Sequence, residues 1–329
     1  MPRTTPAKAR CLSRLSDGQL RFGTLAIDQR PPLMNLVGKA LGRDPESVGT
    51  EVSELKGLLA ETLARSVTGI LIDPHYAFPT AMPIIPRETG LMLTLEHHRF
   101  TTLGGWRKSG LIPGWSVEQA VQMGADGLKL LAWHRPDAPQ EVSEHQLNLV
   151  REVGQACQKA DRLFIFEVLP YPLPGESESE YAAKLRDLSL RIAADFADPS
   201  FHIDLYKLAI PAAAERVKEW GGKDYALDDL EADMREYSKL PAPWLLLSGG
   251  LNTDQFVQVF EYALNAGARG YLAGRAVWQR PLRFYPDKAA SARALLEEGR
   301  EAIDRLNEFL LAIPPMYAEV EWRLGGVAG

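Results

Sequence analysis

The chain has 329 residues, 46% of them hydrophobic and 24% charged, which excludes collagenous, low-complexity and wholly disordered proteins. Its 37 Lys and Arg against 43 Asp and Glu leave a net charge of −6, without the basic footprint of a general nucleic-acid binder. No stretch of roughly 18 apolar residues signals a membrane span, and Cys11 and Cys157 are too few and too far apart for a disulfide framework or a zinc pattern.

Residues 1–14 are basic but lack the apolar stretch of a secretory signal, so 1–18 reads as an N-terminal arm of a cytosolic protein. Eight short apolar runs follow: 22–28 (FGTLAID), 69–73 (GILID), 91–96 (LMLTLE), 127–131 (GLKLL), 163–169 (LFIFEVL), 204–210 (DLYKLAI), 244–248 (WLLLS) and 270–274 (GYLAG). Runs of this length suit strands buried on both faces, as in a parallel sheet. Helical patterns lie between most of them, at 45–66, 116–123, 143–160, 177–197 and 253–266. Four prolines in 73–91 allow only a short or broken helix there. Residues 96–127 open with a Gly-rich stretch at Gly104 and Gly105 that reads as a loop over the site. Residues 287–313 carry apolar positions at helical spacing, Pro314-Pro315 stops that helix, and the tail 314–329 ends in a Gly-rich segment expected to be mobile. Eight β/α alternations predict one α/β domain over 19–313, a (β/α)8 TIM barrel with a C-terminal helical extension. The competitor, a doubly wound open sheet, requires a Gly-rich fingerprint after the first strand; Asp28-Gln29-Arg30-Pro31-Pro32 stands there instead.

The informative residues are ionisable groups inside buried runs: Lys129, Glu167, Lys207, and Asp28 at the end of the first strand. Strand side chains alternate between faces. That parity sends Lys207 into the barrel with Leu205 and Ala209, Glu167 with Ile165 and Leu169, and Lys129 with Leu131. A purely structural cluster would have to offset several kcal/mol of desolvation per ion, whereas catalytic residues in this fold lie at strand C-terminal ends. Two lysines around a carboxylate point to Schiff-base chemistry. With a free pKa of about 10.4, roughly one lysine in 10³ is neutral at pH 7; a neighbouring ammonium and burial raise that fraction. On this reading either Lys207 or Lys129 attacks a carbonyl, the other tunes it, and Glu167 shuttles protons. Ser248-Gly249-Gly250 after the seventh run and Gly274-Arg275 after the eighth supply an anion site of the kind barrels use for phosphate.

Several segments resemble the tagatose 1,6-bisphosphate aldolase family: LAIDQR at 25–30, IDPHY at 72–76, GADGLK at 124–129, FEVL at 166–169, DPSFHIDLYK at 198–207, LSGG at 247–250 and GRAVW at 274–278. The resemblance runs in order over most of the chain. It implies a metal-independent class I aldolase without a cofactor, acting on a small phosphorylated ketose. It would cleave a ketohexose 1,6-bisphosphate to dihydroxyacetone phosphate and glyceraldehyde 3-phosphate. It also implies Lys207 as the Schiff-base lysine, Glu167 as the acid/base, Lys129 as the supporting lysine and Asp28 as a polar residue of the site. Ser248, Gly249, Gly250, Gly274 and Arg275 would hold the C1 phosphate, with Gln29 and Arg30 candidates for the far anion. Two departures from the family pattern, Pro31-Pro32 and the segment 96–113 with His97 and His98, lie near the distal end of the sugar. A related branch resembles the sulfofructose-phosphate aldolases, which take a sulfonate there.

Three rival readings make different demands on the sequence. A metal-dependent aldolase needs about three converging ligands, and His75, His97, His98, His134, His145 and His202 show no ligand spacing. A non-catalytic sugar-phosphate regulator would be free to lose Lys207, Lys129 or Glu167, and the chain keeps all three. A sulfofructose 1-phosphate aldolase would use the same mechanism. Trp106, Trp115, Trp133 and Trp278 read as packing residues, His134 as a solvated loop histidine and Cys157 as core. A homo-oligomer is compatible with the sequence, which does not set the oligomeric state or the hexose epimer.

Overall fold

A computed structural model describes residues 4–318. Ten strands form in chain order: β1 (Phe22–Ala26), β2 (Gly69–Ile72), β3 (Gly90–Thr94), β4 (Thr101–Leu103), β5 (Trp106–Lys108), β6 (Gly127–Trp133), β7 (Leu163–Leu169), β8 (Leu205–Leu208), β9 (Trp244–Leu247) and β10 (Gly270–Ala273). Eight of them close into a parallel barrel in the order β1-β10-β9-β8-β7-β6-β3-β2, each coinciding with one of the eight apolar runs. This is the (β/α)8 barrel. Helices Gly49–Leu63, Val117–Gln122, Gln140–Lys159, Glu178–Asp195 and Thr253–Asn265 fill the expected intervals, and the Pro-rich stretch holds only Phe78–Ala81. Helices that have no counterpart in the sequence reading include Pro31–Leu41 and Leu227–Met234. The first begins on its own prolines, whose missing N–H groups are orphans in a first turn anyway. The C-terminal helix runs Lys288–Ala312 through one π turn at Leu295–Gly299. The Gly-rich end at 325–329 lies outside the described residues.

The strand parity holds. Ala26, Leu71, Met92, Ile165, Leu205, Leu245 and Leu272 pack together inside the barrel. Leu25, Ile70, Leu93, Leu130, Phe166, Tyr206 and Leu246 face the helices in the larger outer core.

The barrel's N-terminal end is closed by a helix at Pro6–Leu15, capped by Thr5. Leu15 is fully buried, and its δ-carbons sit where side chains on three strand-initial glycines would be. A Cβ on Gly69, Gly90 or Gly127 would lie 2.9, 2.6 or 3.2 Å from them. The basic character of this segment also finds its reason there. Lys8 pairs with Asp204 at 2.7 Å and Arg14 with Asp126 at 2.8 Å, both acids lying just before strands. Among the described residues, no helix is long and apolar enough to cross a membrane.

Candidate active site

The opposite end of the barrel opens into a cavity of about 730 Å³. Its floor holds the charged residues expected from the strands. Glu167 on β7 and Lys207 on β8 are direct register partners, and Lys207 Nζ donates to Glu167 Oε2 at 2.8 Å. The same carboxylate oxygen lies 2.9 Å from Lys129 Nζ. Lys129 pairs in register with Ile165, one inward position below Glu167. Its ammonium also lies 3.2 Å from Asp28 Oδ2 and 2.8 Å from Glu96 Oε1. All five groups are buried.

The two lysines therefore differ in kind. Burial alone would favour neutral Lys129, but Asp28, Glu167 and Glu96 outweigh it and hold this amine well above its ordinary range. Burial likewise pushes Asp28 and Glu167 up, and Lys129 and Lys207 outweigh it, so both carboxyls sit below their usual range. Lys129 is a fixed cation among three carboxylates. Lys207 touches one carboxylate and lines the cavity. Asp28 Oδ1 is buried without a hydrogen-bond partner.

Glu96 is a site residue that the sequence reading did not single out. It follows β3, lines the cavity, and its other oxygen accepts from the Leu131 N–H at 3.1 Å. The available signal was the one that marked Asp28, a carboxylate ending an apolar run. Arg30 donates to the Glu96 carbonyl at 3.0 Å and approaches its carboxylate at 3.5 Å. Gln29 also lines the cavity and lies against Gly274, where an added Cβ would be 2.6 Å from its Nε2.

Ser248, Gly249, Gly250, Gly274 and Arg275 line one wall of the cavity. Gly249 and Gly250 have φ of 58° and 118°, a left-handed turn that a side chain would strain. A Cβ on Gly250 would lie 3.7 Å from an Arg275 guanidinium nitrogen, so cation and bare backbone share one corner.

Other sequence expectations divide. Asp73, which belongs to the resembling segment 72–76 and is not among the expected site residues, pairs with the fully buried Lys56 and accepts the N–H groups of His75 and Tyr76, bracing the turn after β2. His134 is not solvated: it is buried, edge-on to Phe196 and 3.0 Å from Asp195, because Trp133 ends β6 and the next residue turns under the helix Glu178–Asp195. Trp278 and Trp115 are packing residues that donate to the carbonyls of Ala26 and Thr94, and Cys157 is core. Trp133 lines the cavity. The segment read as a loop contains the antiparallel hairpin β4–β5, which turns on Gly104 and Gly105 at φ 58° and 88°.

Residues 23–280 match a family model described as DeoC/LacD family aldolase. The tagatose 1,6-diphosphate aldolase of Streptococcus agalactiae serotype V is 30% identical over 315 residues, covering 93% of this chain and 96% of the relative. That of Lactococcus lactis subsp. lactis is 29% identical over 318 residues, with 93% and 96% covered. Among solved structures, the fructose-bisphosphate aldolase from Plasmodium falciparum aligns with a TM-score of 0.67 at 14% identity, covering 93% of this chain and 96% of that one. An archaeal fructose 1,6-bisphosphate aldolase aligns at 0.56 and 17% identity, covering 89% and 99%.

Proposed function

Because the chain belongs to the DeoC/LacD aldolase family, we propose that it cleaves a ketohexose 1,6-bisphosphate, tagatose 1,6-bisphosphate or a close epimer, through a Schiff base on Lys207. The observation that carries this reading is the shared oxygen of Glu167, in contact with both lysine amines. The relatives named as tagatose 1,6-diphosphate aldolases support the substrate class.

The Lys207 ammonium passes a proton to Glu167 along their 2.8 Å hydrogen bond, and the neutral amine attacks C2 of the open-chain ketose. Glu167 returns the proton as the carbinolamine loses water; ammonium and ketone have become iminium and water. Glu167 then takes the C4 hydroxyl proton. The C3–C4 pair moves into the iminium, and the aldehyde leaves. Protonation of the enamine at C3 and hydrolysis release dihydroxyacetone phosphate and restore the lysine. Lys129 cannot take the nucleophile's place, since deprotonating it would strand three carboxylates in a buried space. Its charge keeps Glu167 ionised and ready to accept. Asp28 Oδ1 is available to a substrate hydroxyl. Ser248, Gly249, Gly250, Gly274 and Arg275 receive the C1 phosphate.

Borohydride trapping with dihydroxyacetone phosphate, read by peptide mass spectrometry with and without EDTA, tests the reading. A reduced adduct on Lys207, unchanged by the chelator, is the expected result. An adduct on Lys129, or on no lysine, overturns it.

A further inference from the structure

The cavity is lined by five cations: Arg30, Arg107, Lys129, Lys207 and Arg275. Arg30, Lys129 and Lys207 are tied to the carboxylates of the floor. Among the described residues, Arg107 and Arg275 have no acidic partner. Arg107 stands on β5, and its neighbours Arg99 and Lys108 are already spent on Glu46 and Glu141.

Three aromatic faces hold the Arg107 guanidinium. Its central carbon is 4.3 Å from the ring centroid of Phe100, 4.5 Å from Trp133 and 4.8 Å from Tyr171. The hairpin is pinned beneath it: the Arg107 N–H donates to Tyr171 Oη at 2.9 Å, and its carbonyl accepts from Gln146 Nε2 at 3.0 Å. None of its side-chain N–H groups donates to a described residue. Burial pushes this guanidinium down from its ordinary value, the mark of a cation partly stripped of water with no anion in return. Aromatic faces stabilise such a charge but accept no hydrogen bonds in the plane of the fork, so that edge is left for an oxyanion.

The barrel order places the two arginines against each other. Arg275 follows β10 and Arg107 stacks on Trp133, the last residue of β6; β10 and β6 are four strands apart in a ring of eight, diametrically opposed. A ring of eight tilted strands is roughly 15 Å across between backbones, and both side chains line the cavity that Lys207 and Glu167 also line.

We propose that Arg107, clamped by Phe100, Trp133 and Tyr171 on the β4–β5 hairpin, grips the tetrahedral oxyanion on C6 of the substrate while Arg275 grips the one on C1. The proposal deepens the aldolase reading and rests on it. It assigns specificity for a doubly anionic substrate to the β4–β5 hairpin, and it leaves Arg30 with Glu96 as a brace for the floor.

The test compares kcat/KM of the wild type and Arg107→Met on three substrates: a ketohexose 1,6-bisphosphate, its 6-deoxy-6-sulfo 1-phosphate counterpart, and the 1-monophosphate. Met is an unbranched side chain that fills the aromatic clamp and keeps the hairpin in place. For the six-anion substrate that the wild type prefers, the variant's advantage over the 1-monophosphate falls roughly 10- to 100-fold, most of it in KM, and Arg107→Lys restores part. The wild-type preference names the oxyanion as phosphate or sulfonate. An equal fall on all substrates makes Arg107 a brace for the hairpin and overturns the proposal, as does an unchanged ratio. A wild type that cleaves none of the three overturns the aldolase reading as well.

Discussion

Lys129 makes no bond to the substrate in the proposed reaction, yet its charge holds the carboxyls of Glu167 and Asp28 ionised. Lys129→Met removes the cation that holds Glu167 and Asp28 below the usual carboxylate range. The acid limb of the kcat/KM profile is therefore expected to move to higher pH, with a loss of about 10²- to 10⁴-fold at the optimum, the usual size of a disrupted acid–base apparatus. His98 carries a second signature. Burial first, then the charges of Arg30, His97 and Arg99, lower its pKa to about 4. Between its ordinary value of 6.5 and about 4 the unfolded chain binds a proton that the folded chain refuses. Its contribution to stability therefore falls as the solution is acidified through that window. His98→Gln removes this contribution, so urea midpoints at pH 7.5 and 4.5 should lie closer together than in the wild type. At this scale much of the site was legible. A charge inside an apolar run announces itself, and Lys129, Glu167 and Lys207 converge on one oxygen as their strand parity implies. Arg107 sent no such signal, because Phe100, Trp133 and Tyr171 meet it only in the folded chain.

The eight barrel strands stood out because each is buried on both faces and reads as a continuous apolar run. The hairpin did not. Thr101–Leu103 is exposed and Trp106–Lys108 half-buried, so neither has a buried pattern to read; the Gly104-Gly105 pair was the remaining clue. The helix Pro6–Leu15 was hidden differently. Its apolar face makes sense only beside a barrel end whose glycines lie 69, 90 and 127 residues into the chain. Leu15→Ala is expected to cost about 2–5 kcal/mol in denaturant unfolding, since the surrounding strands cannot collapse into the space. At the same socket, a Cβ on Gly90 would lie 2.6 Å from both the Arg14 carbonyl oxygen and a Leu15 methyl. Gly90→Ala should therefore destabilise by about 1–3 kcal/mol through overpacking, in the same assay.

The whole molecule divides its labour between the two ends of one barrel. The C-terminal end keeps an open mouth over charges that burial alone would not tolerate, and the N-terminal end is filled and apolar. That filled end carries a consequence for the order in which the protein assembles. Leu15 precedes every barrel strand in the chain, but its seat is made by the starts of β2, β3 and β6. Contacts this distant in sequence form late. The first helix is therefore expected to dock only after the ring has come together. The two thiols record that history. Cys11 lies on the first helix and Cys157 on Gln140–Lys159 against its neighbouring strands, and both are buried at the end. In a refolding time course pulsed with a thiol reagent, Cys157 should become protected first and Cys11 last.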